Sequence, residues 1–186
     1  AGEPIPAGFH LPAVRKARSG CGCEDLRLIR SHLTPPAATA TRLEAFVTGI
    51  PVGVSLVCGP RASVVLPVMR QRFTTDDAPR YLGSELFTDE AAAARAKALA
   101  VRAAAAIGAG AGWLGVDLVL GDRPDGSGDR VLEVNPRITT SIVGQARLVA
   151  SSLVAAMIEA ATGGMPTLEP IASADQSVGR FDLTGH

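Results

Sequence analysis

Apolar residues fall in short alternating runs over the first seventy positions and at helical spacing further on. Leu11–Arg15 and Leu26–Ile29 read as strands, and the Gly-bearing stretch between them makes a hairpin around residues 17–25. Leu43–Val47 is a third strand candidate. In Pro51–Cys58, Val52, Val54 and Leu56 alternate with Gly53, Ser55 and Val57, and the turn GPRA leads into Ser63–Met69. Both arms are rich in β-branched residues, which predicts a second hairpin. The spacing predicts an Ala-rich helix over about 90–107, with Thr88 or Asp89 as its N-cap and Gly108–Gly112 as its end. Leu114–Leu120 and Arg130–Val134 are strands joined by GDRPDGSGD, a segment of turn residues. A last helix is predicted from Ser141 to about 161, on the stripe Ile142, Ala146, Val149, Leu153, Met157 and Ala160. Gly163–Gly164 stops it. Residues 1–8 read as an entry loop, 31–41 as loop, and 70–87 as mixed. Residues 165–186 show no clear period, and there is no internal repeat.

The composition narrows what such a chain can be. It has 186 residues, 47% hydrophobic and 19% charged, with a mean hydropathy of +0.24. It can bury a core and is not a disordered segment. Lys plus Arg (18) equals Asp plus Glu (18), so no basic footprint for nucleic acid and no polybasic membrane anchor is expected. Only two of the 18 basic residues are lysines, Lys16 and Lys97, which makes each worth weighing. The least polar stretch, 91–120, is broken by Arg95, Lys97, Arg102 and Asp117, so no membrane span fits. The first 20 residues hold Glu3, Pro4, Pro6 and Pro12 without an apolar core and do not read as a signal peptide. The odd count of three cysteines, Cys21, Cys23 and Cys58, fits a reducing compartment, and a cytoplasmic location is expected. Cys21 and Cys23 have no second pair or nearby histidine to complete a zinc site.

Three segments carry candidate chemistry. In residues 14–29, Lys16 leaves a strand and enters a loop with Gly20 and Gly22. Glycines let backbone N–H groups turn around an anion, and a lysine adds a point charge for phosphate. The spacing matches neither the Walker loop nor the dinucleotide fingerprint. A plain hairpin with a solvated lysine is the competing reading. In residues 112–141, Asp117 lies on one strand and Glu133 and Asn135 on the next, the latter two sharing a face. If the register pairs 117 with 133, the three oxygen-bearing side chains converge, and such a donor set suits Mg²⁺, with Mn²⁺ as the alternative ion. The competing reading places the acids on a solvated face, but a plain face usually mixes in Lys and Thr. The third segment, residues 43–56, puts Glu44 in an apolar strand and by itself says little.

In order and content, the three segments resemble the ATP-grasp superfamily. Its members carry a lysine strand with a glycine loop (K-P-x-D-G-x-G), then a hinge strand with an acid and an apolar pair, then an acid strand, then E-x-N. Here these are Lys16 to Gly22, Glu44-Ala45-Phe46-Val47, Asp117, and Glu133-Val134-Asn135. The ending E-x-N-P-R-x-T-T-S and the stretch Met69-Arg70-Gln71 are similar to the branch containing tyramine–glutamate ligase and related carboxylate–amine ligases. The resemblance implies an α+β fold of two subdomains with antiparallel sheets enclosing a nucleotide cleft. The expected division is 1–69 for a β-rich first subdomain and 70–164 for a second, followed by a tail, 165–186. The resemblance also implies that Lys16 contacts the phosphates of ATP and that the Gly20–Gly22 loop folds over them. Glu44 would accept from the adenine amino group, and the backbone at Phe46 and Val47 would meet the ring edge. Asp117, Glu133 and Asn135 would hold Mg²⁺, while Arg70 and Arg137 would face the γ-phosphate or an acyl phosphate made from it.

The reaction so implied is ATP-dependent ligation of a small-molecule carboxylate to an amine, in cofactor synthesis or a similar setting. Phosphoryl transfer needs positioning and charge neutralisation more than a covalent nucleophile. His10, His32 and His186 sit in loop or terminal positions and receive no catalytic role. Two other readings stay open: a small-molecule kinase, and an ATP-binding module inactive alone. Superfamily enzymes carry an N-terminal Rossmann-like domain before the lysine strand, and nothing like it is seen here. The chain, which does not begin with Met, is therefore read as a fragment or processed product. Its expected partner is a second copy or a domain carried elsewhere.

Overall fold

A computed structural model describes residues 3–4, 8–19, 23, 25–31, 33–34, 40–169 and 181–182. The chain divides into two compact units, Ala1–Val47 with Phe73–Leu82, and Thr48–Arg72 with Gly83–His186.

The first unit is β-structure. Strand β1 (Glu3–Pro4) pairs with a distant short strand, Leu33–Thr34. Strand β2 (Ala13–Ala17) is flanked on one side by β3 (Arg27–Ile29), with Ala13 opposite Ile29. Leu33–Thr34 is β4, so short pairings occur in stretches whose sequence reads as loop. On the other side of β2 lies β5 (Thr41–Ala45), with Val14 opposite Glu44 and Lys16 opposite Arg42. Ala13 and Ile29 are the buried apolar residues of this sheet. The 73–82 segment joins it through Leu28 N–H, which donates to the Asp77 carbonyl (2.8 Å), and through the Arg30–Asp77 ion pair (3.0 Å). The rings of Phe73 and Tyr81 meet edge to face, 5.6 Å between centroids.

The second unit is built on two long antiparallel strands. In chain order the remaining elements are β6 (Ile50–Cys58), β7 (Ser63–Val65), β8 (Met69–Phe73, of which Met69 to Arg72 belong to this unit), β9 (Tyr81–Leu86, of which Gly83 to Leu86 belong to it), α1 (Glu90–Ala106), β10 (Gly112–Leu120), β11 (Arg130–Asn135), α2 (Ile142–Gln145), α3 (Leu153–Ala161) and β12 (Phe181–Asp182). The sheet order is β11-β10-β6-β8-β9-β12, with β7 also on β6. Strands β6 and β10 pair over their whole length, from Cys58 opposite Gly112 to Ile50 opposite Leu120. Alternation along each strand serves two cores. Val52, Val54, Leu56, Leu114, Val116 and Leu118 meet Ala92, Ala96, Ala100 and Ala104 of α1, a stripe at four-residue spacing. On the other face, Val57, Leu66 and Trp113 pack with Val149, Leu153, Ala156 and Ala160.

The helix α1 starts as its capping signal indicates, with Asp89 accepting from Ala92 N–H (3.0 Å). Strand β6 pairs with β10 along nine register pairs and lies with it in the second compact unit. Two expectations need correction. Residues 70–87 are not merely mixed: they contribute β8 and β9, whose many polar residues hide a strand period. The last helix is two pieces. Ser152 is extended (φ −72°, ψ 117°) and its hydroxyl caps α3 by accepting from Ala155 N–H (3.3 Å), so the chain restarts there. Before the break, the wholly buried Gln145 is tied to the Pro67 carbonyl (3.0 Å). Among the described residues no helix is long and apolar enough to cross a membrane.

Candidate functional site

In the second unit the chemistry gathers on the sheet face away from α1. Asp117 sits between Val116 and Leu118, both fully buried against the α1 side. Strand parity therefore turns its carboxylate to the other face. The register sets it opposite Glu133 on β11 and opposite Gly53 on β6. Gly53 has no side chain, and a Cβ there would stand 3.3 Å from Gln71 Nε2 and 3.7 Å from Asp117 Oδ1. Through that gap Gln71, two strands away, donates to Asp117 Oδ1 at 2.6 Å. Asn135 Nδ2 donates to the other oxygen at 2.9 Å. Asn135 Oδ1 in turn accepts from the Arg137 guanidinium at 3.4 Å, and Arg137 also reaches the Ile138 carbonyl at 3.3 Å.

Burial holds the Asp117 carboxyl above the usual carboxylate range, and the facing charge of Glu133 pushes the same way. The hydrogen bonds from Gln71 and Asn135, and the Arg137 charge, oppose that shift without cancelling it. The sign has a consequence for the metal-free protein. A raised folded-state value means that Asp117 favours folding below the ordinary carboxylate value, and this advantage is lost as pH rises through the raised value. Compared with Asp117→Asn in thermal unfolding, the wild type should lose stability as pH climbs through that window. A difference that stays flat would contradict the burial account.

Whether these residues suit a divalent cation turns on their donors. Asp117 and Glu133 bring two facing carboxylates whose mutual repulsion a cation would relieve, and hard oxygen donors fit Mg²⁺. Asn135 turns its nitrogen toward Asp117 and its oxygen toward Arg137, so here it orients both neighbours. No group of three or more His, Cys, Asp or Glu able to hold a metal occurs among the described residues. The donor set therefore fits a cation that takes its remaining ligands from water and phosphate, as Mg²⁺ commonly does.

The segment after Asn135 is held by hydroxyls. Thr139 and Ser141 lie 2.9 Å apart through their side-chain oxygens, and each is 3.4 Å from Ser55 Oγ on β6. Gly115, opposite both Ser55 and Asn135, makes room for them. A Cβ there would come within 2.3 Å of Thr139 Cγ2. Gly115→Ala should displace Thr139, break this part-buried cluster and destabilise the fold by about 1–3 kcal/mol, as overpacking does. Chemical unfolding would show an unchanged midpoint if the segment simply moved aside.

Arg70 does not join this group. It pairs with Val52 in the ladder, whose side chain serves the α1 face, so parity sends Arg70 away from Asp117. The next residue, Gln71, is the one that reaches the carboxylate. Strand parity in Met69-Arg70-Gln71 would have pointed to it, had the segment been read as a strand.

The first unit gathers a second set. Lys16 Nζ lies 2.7 Å from Glu44 Oε2, and Arg42 Nε lies 2.7 Å from Glu44 Oε1. Nothing in the sequence reading singled out Arg42. Phe46 is exposed, and its N–H donates to the Pro12 carbonyl at 3.2 Å, so that donor is engaged within the unit. Val47 is the last residue of this part of the unit. Gly20 and Gly22 lie outside the described residues.

Residues 6–141 match the family model of the ATP-grasp domain. The chain belongs to the ATP-grasp family. Its fold recurs in solved structures. One is carboxyaminoimidazole ribonucleotide synthase from Aspergillus clavatus complexed with ATP, at 19% identity and TM-score 0.70, covering 87% of this chain and 44% of that one. Another, described as an ATP-grasp superfamily protein from Archaeoglobus fulgidus, is 25% identical with TM-score 0.59, covering 86% of this chain and 46% of that one. Biotin carboxylase from Campylobacter jejuni is 16% identical with TM-score 0.64, covering 91% and 39%. This ATP-grasp chain thus spans less than half the length of the solved relatives it matches. None of the curated proteins matches its sequence.

Proposed function

We propose that this ATP-grasp chain is the nucleotide- and metal-binding part of an ATP- and Mg²⁺-dependent carboxylate–amine ligase. The observation that carries the reading is the facing pair Asp117 and Glu133, with Asp117 bonded through Asn135 to Arg137. Two facing carboxylates beside an arginine, with the proton affinity of Asp117 raised by burial and by the facing charge, make poor packing but a suitable seat for a cation–phosphate pair. Asp117 and Glu133 would hold Mg²⁺, whose charge offsets that of the phosphates. Asn135 keeps Asp117 and Arg137 aligned, and Gln71 fixes the second carboxylate oxygen. Arg137 offers forked N–H donors to the γ-phosphate or to an acyl phosphate. Lys16 takes the phosphates, under a loop carrying Gly20 and Gly22. Glu44 accepts from the adenine amino group, and the Phe46–Val47 backbone meets the ring edge.

In this reading the substrate carboxylate attacks the γ-phosphorus, ADP leaves, and an acyl phosphate results. The amine then adds to the acyl carbon, inorganic phosphate departs and the amine loses a proton. Binding and orientation by these residues do the work, in keeping with phosphoryl transfer at large. That the carboxyaminoimidazole ribonucleotide synthase of the same fold is complexed with ATP supports ATP as the nucleotide. The test is phosphate release from ATP by the complete polypeptide with panels of small acids and amines. A ligase needs both substrates. A kinase consumes ATP with the acid alone and leaves a stable phosphorylated product. A bare binding module releases none, and either of these last two outcomes overturns the proposal.

A further inference from the structure

On β2 and β5, Lys16 and Arg42 stand directly opposite each other. Like charges so placed repel. Glu44, two residues beyond Arg42 and on the same face, relieves this with one oxygen for each cation, both at 2.7 Å. The cluster of two cations and one carboxylate carries a net charge of +1. As a stabilising device the Arg42 pair is weak, since the Arg42 side chain is 46% exposed and exposed ion pairs contribute little. Its value lies elsewhere. If phosphates draw Lys16 away, Glu44 loses the partner of Oε2, and the Arg42 contact at Oε1 remains to fix the carboxylate's direction.

We infer that Arg42 is a positioning residue that holds Glu44 as a charged acceptor while Lys16 engages phosphate, and so sets the preference for a base with an exocyclic amine over one with a carbonyl. This rests on the nucleotide roles proposed above for Lys16 and Glu44. An ionised carboxylate accepts from an amino N–H but repels a carbonyl oxygen, which leaves two acceptors facing each other. With Arg42 gone, Glu44 is free to follow Lys16 away from the base, so discrimination fades.

The test is calorimetric titration of wild type, Arg42→Gln and Arg42→Lys with ADP and GDP, with thermal unfolding to verify the fold. Wild type should prefer ADP. Arg42→Gln should weaken ADP binding and shrink the ADP:GDP preference by about tenfold, one carboxylate contact's worth of discrimination. Arg42→Lys should restore most of that preference while unfolding temperatures stay close. A preference unchanged in Arg42→Gln, or both affinities falling in equal proportion, would overturn the role of Arg42 while leaving the nucleotide site standing. No ADP binding, or no base preference, in the wild type would overturn the roles of Lys16 and Glu44 along with it. A preference lost equally in Arg42→Lys would overturn the argument from charge.

Discussion

Glu133→Gln should cut turnover of the complete polypeptide by about a thousandfold, some 4 kcal/mol of barrier. Glu133 supplies one of the two negative charges facing each other across β10 and β11. Removing one leaves a cation site with half its charge, at the stage when charge shifts along the transferring phosphate. The substitution preserves shape, and Glu133 is exposed, so the fold should persist. It should also lower the proton affinity of Asp117, because the facing charge is among the causes that raise it. Two readouts therefore move together: phosphate release falls, and the titration of Asp117, followed by carboxyl NMR, moves toward the ordinary range. Normal turnover would remove Glu133 from the metal site. A fall in turnover with no change in Asp117 would show that the two carboxylates do not face each other as described.

Lys16→Ala should act on binding instead. Its ammonium would meet phosphates already present in the ground state, so the loss appears in nucleotide affinity, by about ten- to a hundredfold, in line with a charge-assisted hydrogen bond. In the nucleotide-free chain Lys16 is occupied by Glu44 at 2.7 Å. Part of the phosphate attraction is thus offset by the pair that must open. At saturating ATP, turnover should recover most of its wild-type value, the mark of uniform binding lost. Weak binding alone would not distinguish Lys16 from any other cation in the unit, but its combination with preserved turnover would. Unchanged affinity would mean that Lys16 serves only the strand pair.

How much of this was legible in the sequence differs from element to element. The Asp117–Glu133 pairing could be anticipated, since the two strands are joined by a turn-rich segment and only one parity buries Val116 and Leu118; the bulge between Asp117 and Leu118, which shifts the register beyond it, could not. The α1 cap was equally local, because an N-cap signal acts within one turn. The helix break near Ser151–Ser152 was not, because the stripe from Ile142 to Ala160 keeps helical spacing across it. Tertiary ties decided it, among them Gln145 to Pro67, seventy-eight positions away. Gln71 escaped notice for the same reason: its bond to Asp117 depends on an intervening glycine in a third strand. Arg42 needed the cross-strand register with Lys16, which no motif displays.

The dependence of nucleotide affinity on Mg²⁺ tests the central claim most directly. ATP titrated into the wild-type chain should bind more tightly with Mg²⁺ than with a chelator present, and Glu133→Gln should lose most of that difference while its chelator-condition affinity stays close to wild type. ATP binding that is equal with and without Mg²⁺ in the wild type, or a Mg²⁺ effect that survives in full in Glu133→Gln, would contradict the assignment of Asp117 and Glu133 as the seat of the cation.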